Sequence, residues 1–259
     1  ATDFGISDAD KTGFMTVIHR LNPAKGLDLI LHTPGGDMAA TESIIHYLHS
    51  IFGNNIRAII PQIAMSGGAM IACACKEIIM GKQSNIGPFD PQINGTPSQA
   101  ILEDLTRAAT EMSQDVKRAM LWQPILQKYD LGFFALCKNA IKMADEVVRK
   151  SLIECMFKDD PKAADKAAKI IATLGSHSET KTHARHIHKD EAKKLGLNII
   201  DLEKDPQLQD AVLSLHHACV LTFEQTPAVK IIENDMGKAH IRMLMPQPML
   251  QSFPVPNGM

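Results

Sequence analysis

The sequence predicts an α/β core that carries a helical insertion and ends in a C-terminal helix. Three features point there. Short apolar runs alternate with amphipathic stretches between residues 26 and 81, glycine pairs follow two of those runs, and from about residue 98 helical periodicity replaces the alternation. Strand–helix–strand–helix–strand at this spacing implies parallel pairing with right-handed crossovers.

The elements follow in order. "SDADKTGFMTVIHRL" (7–21) places acidic residues before apolar ones at helical spacing and predicts a helix ending near Asn22-Pro23. "GLDLILHT" (26–33) is a buried-type strand closed by Pro34-Gly35-Gly36. "MAATESIIHYLHSIF" (38–52) repeats apolar residues every three to four positions and stops at Gly53-Asn54-Asn55. A strand over 56–64, a helix over 68–76 and a strand over 77–81 come next, then the loop "KQSNIGPFDPQINGTPS". Long helices are expected at 98–119, 121–128, 133–157 and 161–174, a short helix and a strand within 190–200, and a helix at 206–226. The tail "MLMPQPMLQSFPVPNGM" reads as an extended arm. The expected organisation is a single domain over 1–259: a core at about 7–97 and 182–205, a helical insertion at about 98–175, and a C-terminal helix and arm at about 206–259.

Composition narrows the function classes. With 259 residues, 45% hydrophobic and 22% charged, the chain has the balance of a globular protein with a substantial core. A net charge of −2 offers no electrostatic argument for nucleic acid. Five cysteines, an odd number with no CxxC pair, read as buried thiols of a reducing, cytoplasmic compartment. No run of 18 apolar residues spans a membrane, and membrane association is expected only through residues preceding "ATDFGISDAD". No GxGxxG fingerprint marks a dinucleotide site, and no cofactor is expected.

Two corners carry the chemistry. "HTPGGD" (32–37) ends a strand and starts a helix, and its paired glycines leave backbone N–H groups uncovered at a positive helix end. "AMSGGAMIA" (64–72) repeats the device with Ser66 ahead of Gly67 and Gly68. On neighbouring parallel strands both corners fall at the C-terminal edge of the sheet. One N–H from each would then hold a developing oxyanion beside the serine hydroxyl.

"LDLILHTPGGDMAATESIIHYL" and "AMSGGAMIACACKEIIMGKQSNIGPFDPQI" resemble the serine protease superfamily of the Clp protease proteolytic subunit and signal peptide peptidase A, most closely its serine dehydrogenase proteinases. The similarity returns in "THARHIHKDEAKKLGLNI" (182–199). It implies a Clp/crotonase-type fold of stacked β–β–α units, Ser66 as nucleophile, and oxyanion N–H groups from Gly36 and Gly67. It also implies a closed homo-oligomer acting on peptide or protein substrates.

The general base is not settled by that resemblance. Pro88 stands about where the Clp subunit has its histidine, and Ala184 falls near the place of its aspartate. Signal peptide peptidases use a Ser-Lys pair, which makes Lys128 the first candidate and Lys117 the second. His183 is the third, because it adjoins the position of the superfamily's carboxylate. Asp90 reads as a polar site residue or a turn former before Pro91. His177, His183, His186 and His188 lack a carboxylate or cysteine partner at a ligand spacing, so no metal is expected. Three readings stay open: a serine peptidase, a crotonase-like acyl-CoA enzyme, and a scaffold that has lost its base.

Overall fold

The structure, a computed structural model, describes residues 4–244. The proline-rich end of the expected arm, from residue 245 on, lies outside the described residues. The elements in chain order are α1 (Asp8–Ile18), β1 (Leu27–Ile30), α2 (Met38–Phe52), β2 (Ile56–Ile60), β3 (Ile63–Ala64), α3 (Gly67–Cys73), β4 (Glu77–Met80) and β5 (Asn85–Ile86). A small hairpin, β6 (Gln92–Ile93) and β7 (Thr96–Pro97), leads to α4 (Ser98–Gln114), α5 (Ala119–Leu126), α6 (Phe133–Ser151) and α7 (Ala163–Leu174). The chain closes with α8 (His177–Thr180), β8 (Ile187–His188), α9 (Lys189–Leu195), β9 (Ile199–Asp201), α10 (Pro206–Gln225), β10 (Ala228–Glu233) and β11 (Ala239–Met243).

Each strand unit crosses two sheets. The first sheet has the parallel order β1-β2-β4-β9, with Leu27 opposite Ile56 and Arg57 opposite Glu77. The second has the order β3-β5-β8, and a bridge from Thr33 to Ala64 adds the chain leaving β1. The expected strand 56–64 is therefore two strands. Pro61 has no N–H to give a ladder, and the break there lets Ile63–Ala64 leave the first sheet for the second. This is the stacked β–β–α arrangement of a Clp-type fold. The all-parallel expectation is corrected at β8, which runs antiparallel to β5.

β2 and β4 run through the middle of the core, with Ala58, Ile60, Ile78 and Met80 fully buried. α2, α3, α6 and α7 cover one face, while Val212 of α10 and Leu202 seal Ile59 and Ile79 on the other. The apolar runs of β2 and β4 are buried on both faces, whereas the run expected to be a buried strand at 26–33 forms the edge strand β1, with Asp28 and Ile30 exposed. The insertion shares this core through Val148, Leu152 and Ile170. The expected helix 133–157 changes at Leu152 into a five-residue π-helix ending at Met156. The helix expected to reach 119 stops at Gln114, where extended Asp115 caps a 3-10 turn. In the loop read as structureless, Asn94 and Gly95 both have positive φ and close the β6–β7 hairpin. Among the described residues no helix is long and apolar enough to cross a membrane.

The region expected to hold only a helix and an arm also holds the β10–β11 hairpin, which packs on α1. Lys230 reaches from it to Asp10 Oδ2 and to the Gly5 carbonyl, both at 2.7 Å. Both side chains are nearly buried, at 12% and 8% exposed. Removing one partner of such a pair strands the other charge. Lys230→Met is therefore expected to cost about 3 kcal/mol or more and to lower the melting temperature by roughly 10 °C in calorimetry. Adding Asp10→Leu should recover much of that loss.

Candidate active site

Ser66 sits at the corner between β3 and α3, with φ 50° and ψ −116°. A non-glycine residue there is strained by about 1–3 kcal/mol, and such strain persists only where the surroundings hold it. Here they do. Ser66 N–H donates to the Pro88 carbonyl at 3.2 Å, and Gly68 N–H donates to the Met65 carbonyl at 2.8 Å. The turn projects the side chain at the exit edge of β3, partly exposed, and among the described residues its Oγ makes no hydrogen bond.

The first corner lies directly against this one. A Cβ on Gly35 would stand 2.5 Å from Ser66 Cβ and 3.1 Å from Gly67 N. Gly35 has φ 98°, open to glycine and strained for other residues. Ile6 braces the far side: its N–H donates to the Gly35 carbonyl at 2.7 Å, and its carbonyl accepts from Asp37 N–H at 2.8 Å. A Cβ on Gly36 would fall on Ile6 N, so only glycine fits. Asp37 caps α2 by accepting from Ala40 N–H at 2.8 Å. Among the described residues neither Gly36 N–H nor Gly67 N–H has a hydrogen-bond acceptor. These are the two donors the sequence nominated, each beside a helix N-terminus whose dipole favours negative charge.

Asp90 and His183 form the polar part of the same edge. β5 pairs with β8 as Asn85 with His188 and Ile86 with Ile187. Four residues on from Ile86 is Asp90, and four back from Ile187 is His183, so the two sit at matching positions beyond the ladder. Asp90 Oδ1 accepts from His183 Nδ1 at 2.8 Å, and the Asp90 side chain is 2% exposed. The carboxylate can only accept, so Nδ1 carries the hydrogen, and in the neutral ring the lone pair is then on Nε2. His183 is partly exposed, and Nε2 has no partner among the described residues. Pro88, whose carbonyl holds Ser66, precedes Asp90 by two residues, at most about 7 Å of chain.

The lysines lie elsewhere. Lys128 follows α5, which packs chiefly on α4 and the 3-10 turn, and Lys117 lies in that turn. Both are exposed, and neither ammonium has a hydrogen bond or ion pair among the described residues. His186 and His188 are exposed on the approach to and within β8. Among the described residues no three His, Cys, Asp or Glu side chains converge as a metal site. Burial pushes the Cys73 thiol, on α3, up to about 12, which leaves it unreactive beside the serine corner. A cleft of about 780 Å³ opens at the opposite edge of the first sheet, between Lys76-Glu77, Cys155–Pro161 and Gly196–Asn198. It is lined by no serine or histidine, unlike the Ser66 corner.

The sequence passed over the Asp90–His183 bond because 93 positions separate the partners. One usable signal was the polar Asp90 in the otherwise apolar "IGPFDP".

Residues 5–236 match the family of ClpP-like SDH-type serine proteinases. Two uncharacterized proteins of Methanocaldococcus jannaschii are similar to this chain. One is 36% identical over 173 residues, covering 67% of this chain and 51% of its own length. The other is 29% identical over 194 residues, covering 75% and 60%. The chain thus spans less than two thirds of either relative. With paired glycine corners, a strained serine and a match over nearly all described residues, the chain belongs to the ClpP-like SDH-type serine proteinase family.

Proposed function

We propose that this chain is a serine peptidase acting on peptides or unfolded protein segments, with Ser66 as nucleophile, His183 as general base and Asp90 orienting the base. What supports the reading most is convergence: the strained serine, two unengaged N–H groups and a carboxylate-bound imidazole share one edge of one small sheet. His183 Nε2 takes the Ser66 proton as Oγ attacks the scissile carbonyl carbon. The resulting oxyanion accepts from Gly36 and Gly67 N–H. The imidazolium, balanced by Asp90, then returns its proton to the leaving amine as the C–N bond breaks. Water repeats the cycle on the acyl-enzyme, releasing a carboxylate and restoring Ser66. Before substrate arrives Oγ and Nε2 share no hydrogen bond, as is common in unliganded sites.

This reading favours His183 over Lys128. A lysine serves as base where burial disfavours its charged form, and Lys128 is exposed. It also explains the apparent gaps in the resemblance. The loop that carries the superfamily's histidine here supplies the carboxylate, and the loop that carries its carboxylate here supplies the histidine. A triad is defined by geometry and role, so the exchange preserves the chemistry.

Fluorophosphonate labelling followed by intact mass tests the assignment. The parent should label and Ser66→Ala should not. His183→Ala should slow labelling by on the order of 10²–10⁴, while Lys128→Ala should leave it within about twofold. Silence of Lys128→Ala with labelling kept in His183→Ala would make the base a lysine. Mass analysis of fragments from an unfolded protein then separates peptidase from esterase activity. Gly36→Ala keeps the N–H but drives its Cβ into the Ile6 backbone, so the corner should be displaced, with labelling lost and the melting temperature lowered in calorimetry. Ser66→Gly relieves the backbone strain that Ser66→Ala keeps, so it should melt a few degrees higher, on the order of 1 kcal/mol.

A further inference from the structure

Asp90 is a buried carboxylate with a hydrogen bond to only one of its oxygens among the described residues. Oδ1 holds His183, while Oδ2 faces His177 Nδ1 at 3.6 Å. Both Oδ2 and His177 Nδ1 are buried without a hydrogen-bond partner. A buried carboxylate oxygen left unpaired is costly, and so is a buried ring nitrogen. The two atoms face each other as donor and acceptor, and a shift of roughly half an ångström closes the bond.

His177 is held there by its backbone. Gln99, at the start of α4, accepts from His177 N–H at 2.9 Å and from Ser176 Oγ at 3.4 Å. One turn earlier, Phe89 N–H donates to the Leu174 carbonyl at 2.9 Å, and a Cβ on Gly175 would stand 3.0 Å from Phe89 Cε2. The segment 174–177 therefore lies along 89–90, and glycine permits that approach.

We propose that His177 is a positioning residue of the same site, its Nδ1–H closing on Asp90 Oδ2 so that two imidazoles grip the carboxylate that orients His183. The inference rests on the assignment of His183 and Asp90 made above. It gives the helical insertion a part in the site, because α4 and α8 deliver the second grip. A donor on a carboxylate weakens its hold on a shared proton. Without His177 the Asp90–His183 pair holds its proton more tightly, and the neutral base is reached only at higher pH.

The charged and titratable groups around His177 have partners or positions of their own. Asp90 and His183 face it directly. Glu103 on α4 accepts from Gln99, and Lys169 on α7 donates to the Lys194 carbonyl. Asp145 on α6 lies by Gly175, its carboxyl pushed up by burial, and Glu179 and Lys181 flank α8.

The test is the fluorophosphonate labelling rate from pH 5 to 9 for the parent, His177→Ala and His177→Asn, with ¹⁵N imidazole NMR titration of His183 in each. In His177→Ala the acid limb should move up by about one pH unit, roughly tenfold slower labelling at acidic pH, with the alkaline plateau kept within about twofold. Asn places an amide N–H near the lost Nδ1 and should restore the parent profile. An unmoved acid limb, or an equal loss at every pH, would overturn the proposal. If the parent does not label, the peptidase assignment fails and NMR alone decides this one. A His183 midpoint that rises in His177→Ala and returns in His177→Asn supports the grip, and one that stays overturns it.

Discussion

Two backbone hydrogen bonds carry the β3–β5 ladder past its last strand residues: Gly87 N–H to the Ala64 carbonyl at 3.0 Å, and Ser66 N–H to the Pro88 carbonyl at 3.2 Å. Everything at the site hangs from them. They hold Ser66 in a conformation a free chain avoids, and they fix where the loop to Asp90 begins. From the other side β8 pairs antiparallel to β5, so its approach runs back along that loop and brings His183 level with Asp90. A one-residue slip of either ladder would turn these side chains to the opposite face.

The first corner has a longer support. Gly36 is pinned by the backbone of Ile6, near one end of the described chain, and the carbonyl of neighbouring Gly5 accepts from Lys230, near the other. The same ammonium holds Asp10, which in turn accepts from Ser7 N–H at 2.8 Å at the start of α1. An unengaged N–H is useful for catalysis only if it cannot drift toward another acceptor. Bracing from both ends of the chain supplies that rigidity without occupying the donor.

In the reading we favour, the site also changes how the insertion is understood. α6 and α7 close the core over α3, and α4 with α8 sets His177 beside the buried carboxylate. A buried anion is tolerable only when its lone pairs are met, and each histidine on Asp90 meets one of them. Catalytic orientation and the cost of burying the carboxylate then have one solution.

The sequence by itself determined the strand–helix alternation, the two glycine corners and the serine between them. Each of these is local: apolar runs of strand length, helical periodicity, and glycines where no Cβ fits. The family resemblance then singled out Gly36 and Gly67 as the N–H groups of those corners. Only the tertiary structure decided the break at Pro61 that sends β3 into a second sheet, because a short apolar run is the same string whichever sheet it joins. The β10–β11 hairpin, in a region read only as helix and arm, is anchored by the bond from Lys230 to Asp10, 220 positions away. The pairing of Asp90 with His183 was likewise beyond any local pattern. Chain order carries no information about which loops meet, and an antiparallel register between two-residue strands settles it here.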